Sequence, residues 1–248
     1  MSTDADRVVL DSCPSTMTVA RDGFAGYLRP TWVLAHRQTG GHGRRGRPWA
    51  NPRGAFTATL ALPRPGTAQA AAQRSFVAAL ALFDAVVAVT GRPDGLSLKW
   101  PNDVLLNGGK LAGILLESLG PRRDGTLDGL LIGIGVNLIE PPVAGEVEEG
   151  AVRPVALAEE TGVQVTPEEF LDALAPAYAR HEQAFTAQGF GPIRRAWLDR
   201  AARLGQTITA RLPGEAVTGT FKTIDEMGYL QLQTDTGLRG IAAAEVFF

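Results

Sequence analysis

The sequence predicts an α+β fold: a mixed, largely antiparallel central sheet with flanking helices, followed by a small all-β unit. Three observations carry this. A long stretch over 68–89 with few polar positions has the length and composition of a buried helix. Apolar runs over 96–138 are interrupted at Asn107-Gly108-Gly109 and at Asp124-Gly125, turn sequences that join antiparallel strands. After Gly205 the pattern changes to short strands separated by Gly-containing turns. With 248 residues, 45% of them hydrophobic and 20% charged, the chain can bury one large core and support a small extra unit. The expected division is 1–204 and 205–248.

Taken in order, residues 8–33 are short and mixed, with a polar break at 12–18, and lead into a strand around Trp32-Val33-Leu34-Ala35. Residues 37–54 hold five arginines, five glycines and no acidic residue, which suits a loop and not a core element. A strand over 56–62 precedes the long helix, which should end near Gly91 in a left-handed cap. The central meander comprises strands over 96–106, 110–119 and 127–138. A link over 140–150 is rich in Pro, Gly and Glu. At Thr166-Pro167-Glu168-Glu169 a helix starts: Thr166 caps it, Pro167 suits its first position and Glu169 completes a capping box. Another helix over 192–204 should stop at Gly205, before strands over 207–212, 217–224, 229–234 and 239–246.

A formal net charge of −2 and a pI near 6.0 argue against a surface built throughout to hold nucleic acid or an anionic membrane, so any anion site is local. Cys13 is alone, and His36, His42 and His181 lack the spacing of a structural zinc site, pointing to a reducing, cytoplasmic setting. The start of the chain lacks the features of an export signal, and no run of about 18 apolar residues suggests a membrane span. No internal repeat or helix-turn-helix pattern precedes Ser15, so no DNA partner is expected.

Three segments could carry chemistry. The first, from Gln38 to Trp49, joins backbone freedom to fixed positive charge and so suits an anion, phosphate above all. It is neither a P-loop nor a dinucleotide fingerprint, and a solvated basic loop or an RNA patch is the competing reading. Trp49 could stack on a base or pack beneath its own loop. The second sets Lys99-Trp100-Pro101-Asn102-Asp103 beside Lys110-Leu111-Ala112-Gly113-Ile114 within the expected central sheet. A buried ammonium needs a carboxylate, a phosphate or a route to water. One reading is a Lys99–Asp103 ion pair with Lys110 as a charge at a hairpin edge; the other is an anion pocket. The third, Gly133-Ile134-Gly135-Val136-Asn137, removes alternate side chains from a strand and lets something approach the backbone.

Together these segments, with Gly189-Phe190, Ile193-Arg194 and Trp197-Leu198, resemble the biotin protein ligases in the compact form without an N-terminal DNA-binding domain. The resemblance covers nearly the whole chain. It implies a fold related to class II aminoacyl-tRNA synthetases with a small C-terminal β-barrel. It also implies two steps: biotin and MgATP give biotinyl-5′-AMP and pyrophosphate, and a lysine of a biotin carboxyl carrier domain then takes the biotin and releases AMP. On this resemblance Lys110, Arg44 and Asp103 are catalytic, and Ser15, Thr16, Gln38, Gly41 and Gly113 surround biotin. Arg44, Arg45, Arg47, Trp49, Lys99, Asn102, Lys110 and Asn137 hold the nucleotide, with Asp103 and Asn102 helping to place Mg²⁺ and phosphate. A homodimer stays open, since family members differ. His42 stands where arginine is usual, Met17 where asparagine is usual and Ala244 where glycine is common. The alternatives are a lipoate or octanoate ligase or transferase, a non-catalytic binding protein on the same fold, and a nucleic-acid-binding module.

Overall fold

The computed structural model describes residues 5–143 and 152–247. A seven-stranded sheet contains β1 (Asp6–Cys13), β2 (Thr31–Gln38), β3 (Phe56–Thr67), β4 (Leu96–Lys99), β5 (Asp103–Leu106), β6 (Gly109–Pro121) and β7 (Thr126–Val136). Its order is β1-β2-β3-β7-β6-β5-β4; β1 and β2 are parallel and the other neighbours antiparallel. The helices are α1 (Thr16–Asp22), α2 (Ala68–Thr90), α3 (Leu157–Thr161), α4 (Pro167–Gln188) and α5 (Phe190–Leu198). A second sheet of β8 (Thr207–Leu212), β9 (Glu215–Ile224), β10 (Leu230–Thr234), β11 (Gly237–Ile241) and β12 (Glu245–Phe247) has the order β11-β10-β9-β8-β12 and is antiparallel.

The two faces of the large sheet carry different side chains because alternate residues point opposite ways. Along β3, Phe56, Ala58, Leu60 and Leu62 enter the main core, whereas Thr57 and Thr59 are buried on the other side. Along β7, Leu130, Ile132, Ile134 and Val136 join the core, leaving Gly133 and Gly135 on the opposite face. The core face is covered by α2, against which α4 and α5 pack; Phe76 meets Phe190 and Trp197 edge-on at 5.2 and 5.4 Å between ring centres. The other face holds a smaller cluster under α1, with Met17, Ala20, Val33, Ala61 and Leu131. Beside that cluster this face presents Thr57, Thr59, Gly133 and Gly135, and this area of small residues becomes the floor of the cavity.

Local signals account for the best-resolved ends. Thr67 caps α2 by accepting from the Ala70 N–H, and Gly91 ends it at φ 75°, the left-handed geometry expected. The α4 capping box is closed in both directions, Thr166 N–H donating to Glu169 at 2.8 Å and Glu169 N–H to Thr166 at 3.2 Å. On length and hydropathy α2 could cross a bilayer, yet it lies mostly buried in the core.

Several expectations need correction. The mixed stretch over 8–33 contains β1 and α1; β1 is a largely exposed edge strand, so burial imposes little pattern on it. The strand expected over 96–106 is two strands around a turn with a cis Trp100–Pro101 bond, because proline cannot donate to a ladder. The helix expected over 192–204 is α5, which starts earlier and ends at Leu198; the chain then runs beside β4, bridging Leu98 to Ala201. The last expected strand is divided into β11 and β12. The expected small β-barrel unit is the five-stranded antiparallel sheet β11-β10-β9-β8-β12. Of the link over 140–150, residues 144–150 lie outside the described residues.

Candidate active site

Over this area of the sheet lies a cavity of about 820 Å³, bounded by α1, the Gly/Arg loop and β12. Every site residue expected from the sequence lines it except Gly41, which lines an adjoining pocket behind the loop. A side chain at Gly41 would collide with Gln38 Nε2, 2.7 Å from the Cβ position, so this glycine allows the loop to close on Gln38.

One end of the cavity is neutral. Thr16 donates its backbone N–H to Gln38 Oε1 at 2.7 Å, and its hydroxyl lies 3.1 Å from the same oxygen and 2.9 Å from Thr59 Oγ1. With Thr16 donating to Gln38, Thr59 donates to Thr16, so the three groups form one directed chain. That chain takes up the Gln38 carbonyl oxygen, and its amide nitrogen lies beside Gly41 of the loop. Ser15 precedes α1 as its N-cap, buried and without a side-chain cap bond. Met17 is buried beneath, its methyl 3.0 Å from where a Cβ on Gly133 would stand, so it sets the depth of this end.

The other end is charged. The β4–β5 turn brings Lys99 and Asp103 together, and β6 adds Lys110 from the adjacent strand. Asp103 receives Lys110 Nζ at 2.8 Å on one oxygen and Lys99 Nζ at 3.4 Å on the other. Burial opposes the charge on Asp103, but Lys110 and Lys99 outweigh it and hold the carboxyl below its ordinary range. Burial lowers the Lys99 ammonium from its ordinary value, partly offset by Asp103. The Lys99–Asp103 ion pair is present, and Lys110 joins it on the same carboxylate from β6. All three line the cavity, and Lys110, with a side chain 31% exposed, is the most open of them, whereas Lys99 is 9% exposed.

Trp49 lies on the sheet here. A Cβ on Gly135 would stand 2.4 Å from its indole and one on Gly113 3.0 Å away, and Gly113 and Gly135 are paired across β6 and β7. The open side of Gly113, which the resemblance sets beside biotin, is therefore occupied by Trp49. Lys110 Nζ sits 5.6 Å from the ring centre. Trp49 Nε1 and Asn137 Oδ1 are among the buried polar atoms without a hydrogen-bond partner. The Asn137 amide nitrogen is fixed on the Val155 carbonyl at 3.0 Å, so its oxygen is presented as an acceptor. A donor and an acceptor beside an aromatic face are suited to a heteroaromatic ring.

The Gly/Arg loop crosses above, with Arg45 at φ 59°. Arg44 donates to Asn102 Oδ1 at 3.2 Å and to the Ala244 carbonyl at 3.4 Å, while Asn102 Nδ2 is held by the Ile114 carbonyl at 2.7 Å. Burial, and then the neighbouring Arg45, lower the Arg44 guanidinium from its ordinary value. Arg45 and Arg47 both pair with Glu245, whose carboxyl is held low chiefly by the hydrogen bond from Arg47. His42 lies 3.2 Å from Glu117, which also pairs with Arg21 of α1. Sequence reasoning missed Thr57, Thr59 and the role of Glu245. The threonines had a signal, two polar residues at alternate positions of an otherwise apolar strand; Glu245 had none, since its partners lie about 200 residues away.

A protein-held divalent ion does not fit this arrangement. Both Asp103 oxygens face ammonium groups, and no group of three or more His, Cys, Asp or Glu residues gathers elsewhere among the described residues.

Comparison with known proteins gives this geometry a context. Residues 9–137 match the biotin/lipoate A/B protein ligase family and residues 204–248 the biotin protein ligase C-terminal domain. The chain is 55% identical over 217 residues to a biotin–[acetyl-CoA-carboxylase] ligase of Paracoccus denitrificans, covering 88% of this chain and 90% of that one. It is 28% identical to the bifunctional ligase/repressor BirA of Bacillus subtilis, covering 87% of this chain and 65% of that relative's length. A biotin protein ligase from Aquifex aeolicus, solved with biotin and ATP, superposes with a TM-score of 0.82 at 25% identity over 97% of each chain. The chain belongs to the biotin/lipoate A/B protein ligase family.

Proposed function

We propose that this protein is a biotin–[acetyl-CoA-carboxylase] ligase, which joins biotin to ATP as biotinyl-5′-AMP and then transfers biotin to a lysine of a biotin carboxyl carrier domain. The observation that carries the reading is one cavity in which a neutral hydrogen-bonding end adjoins the Lys110–Asp103–Lys99 trio and the arginine loop. In the first step a carboxylate oxygen of biotin attacks the α-phosphorus, and the bond to pyrophosphate breaks. Two anions must meet, so fixed cations at the point of attack lower the barrier. Lys110 has that role, Lys99 and Asp103 hold it in place, and Arg44, Arg45 and Arg47 bind phosphate oxygens. Trp49 and Asn137 take the adenine. In the second step the acceptor amine attacks the acyl carbon and AMP leaves, while the loop keeps water from the anhydride.

Mg²⁺ would arrive on the phosphates, where it neutralises charge, and would not occupy a protein cage. Residues 1–204 form the catalytic unit and 205–248 the small unit that supplies the wall around Glu245. Ser15, Thr16, Gln38 and Gly41 serve the ureido ring of biotin, directly or by shaping its surroundings.

A lipoyl or octanoyl chain is disfavoured, because it would bring no hydrogen-bonding head group to the polar groups of the neutral end. ATP–pyrophosphate exchange with biotin, lipoate and octanoate tested separately decides the acid. Exchange with biotin at least tenfold above the others is expected, and exchange with another acid alone would overturn the assignment. Labelling of a purified carrier domain on one lysine is expected to follow; a carrier left unlabelled although adenylate forms would exclude that partner.

A further inference from the structure

We propose that Arg211, on the C-terminal sheet, is a further nucleotide-contacting residue that binds the pyrophosphate end of ATP. The inference deepens the proposed function and rests on it. Arg211 of β8 is the cross-strand partner of Glu245 of β12, so the two side chains share one face of the small sheet, and Phe247 lies two residues further along that face. All three line the cavity.

Their partners differ. Glu245 turns to the Gly/Arg loop and pairs with Arg45 and Arg47, leaving its cross-strand neighbour without a carboxylate among the described residues. The Arg211 guanidinium lies instead over the Phe247 ring, 4.2 Å from its centre. Stacking fixes the plane of the guanidinium and leaves its edge N–H groups for an acceptor. The other cations of the cavity already have oxygen acceptors: Lys99 and Lys110 share Asp103, Arg45 and Arg47 share Glu245, and Arg44 donates to Asn102 and Ala244. Arg211 is an exposed cation on this wall of the cavity. A planar fork held flat by an aromatic ring matches two phosphate oxygens.

The test compares Arg211→Gln and Arg211→Lys with the unaltered protein. In ATP–pyrophosphate exchange, Arg211→Gln should raise the KM for ATP and for pyrophosphate about tenfold, the loss of one charge-assisted hydrogen bond, with the KM for biotin unchanged. Arg211→Lys should recover most of the loss. Transfer from purified biotinyl-5′-AMP to the carrier domain, which involves no pyrophosphate, should proceed at the unaltered rate. Nucleotide and pyrophosphate KM values within twofold of the unaltered protein would overturn the proposal, as would an equal loss in the transfer step. Calorimetric titration with inorganic pyrophosphate separates this inference from the reading it rests on. If the unaltered protein shows no biotin-dependent exchange, the ligase reading fails, and weaker pyrophosphate binding by Arg211→Gln still upholds the contact while equal binding removes it.

Discussion

The neutral and charged ends of the cavity are built on opposite principles. At the neutral end Thr16, Gln38 and Thr59 satisfy one another on a helix and two strands, in a geometry that needs no ligand to hold it. At the charged end each anion holds two cations, Asp103 between two lysines and Glu245 between two arginines. Their packing is complete but their charges are borrowed. A phosphate group can displace a carboxylate from an arginine and leave the arginine where it was. The difference teaches that one end selects its guest by shape and hydrogen bonding, whereas the other is held together by internal counter-ions until a more highly charged guest arrives.

Removing the most open cation of the trio should separate the ends most strongly. Lys110→Ala is expected to reduce exchange about a thousandfold, the scale of losing a preorganised charge at the reacting centre, and to leave the fold intact. Next in size, Asp103→Asn should lower unfolding stability by about 3 kcal/mol in denaturant melts, because it removes the carboxylate charge that pairs with the buried Lys99 and with Lys110. The same carboxylate gives a pH dependence. Since its folded value lies below the ordinary one near 4, its contribution is present above about pH 4 and is lost as pH falls through the folded value. The Asp103→Asn protein should lack that part of the acid transition.

Gly135→Ala is a finer cut. A methyl group there would stand 2.4 Å from Trp49 and must displace it, so the KM for ATP should rise about tenfold, the scale of one base–aromatic stack, with the biotin KM unchanged. The smallest effect belongs to the neutral end. Thr59→Val removes one link of the hydroxyl chain and should weaken biotin binding by about 1 kcal/mol without altering the KM for ATP. A change in both constants would show that the two ends are not separate.

How much of this was legible in sequence depended on whether the signal was local. The α4 cap, the Gly91 stop and β8 are set by neighbouring residues and were read almost to the residue. Lysines and an aspartate inside apolar strands announced the charged trio, because burial makes such residues costly without partners. Other features exist only through contacts between distant parts of the chain. The role of Glu245 depends on a loop near the start of the sequence, and Gly113 and Gly135 make room for Trp49 by facing it across two strands. The β4–β5 turn was missed although Pro101 marked it, because the surrounding apolar residues suggested one continuous strand.

Calorimetric titration of Lys110→Ala with biotin, beside its exchange rate, tests the division most directly. A dissociation constant for biotin within about threefold of the unaltered protein, with exchange nearly abolished, is the expected result. Loss of biotin binding in step with exchange would contradict it, since the neutral end would then depend on the charged one.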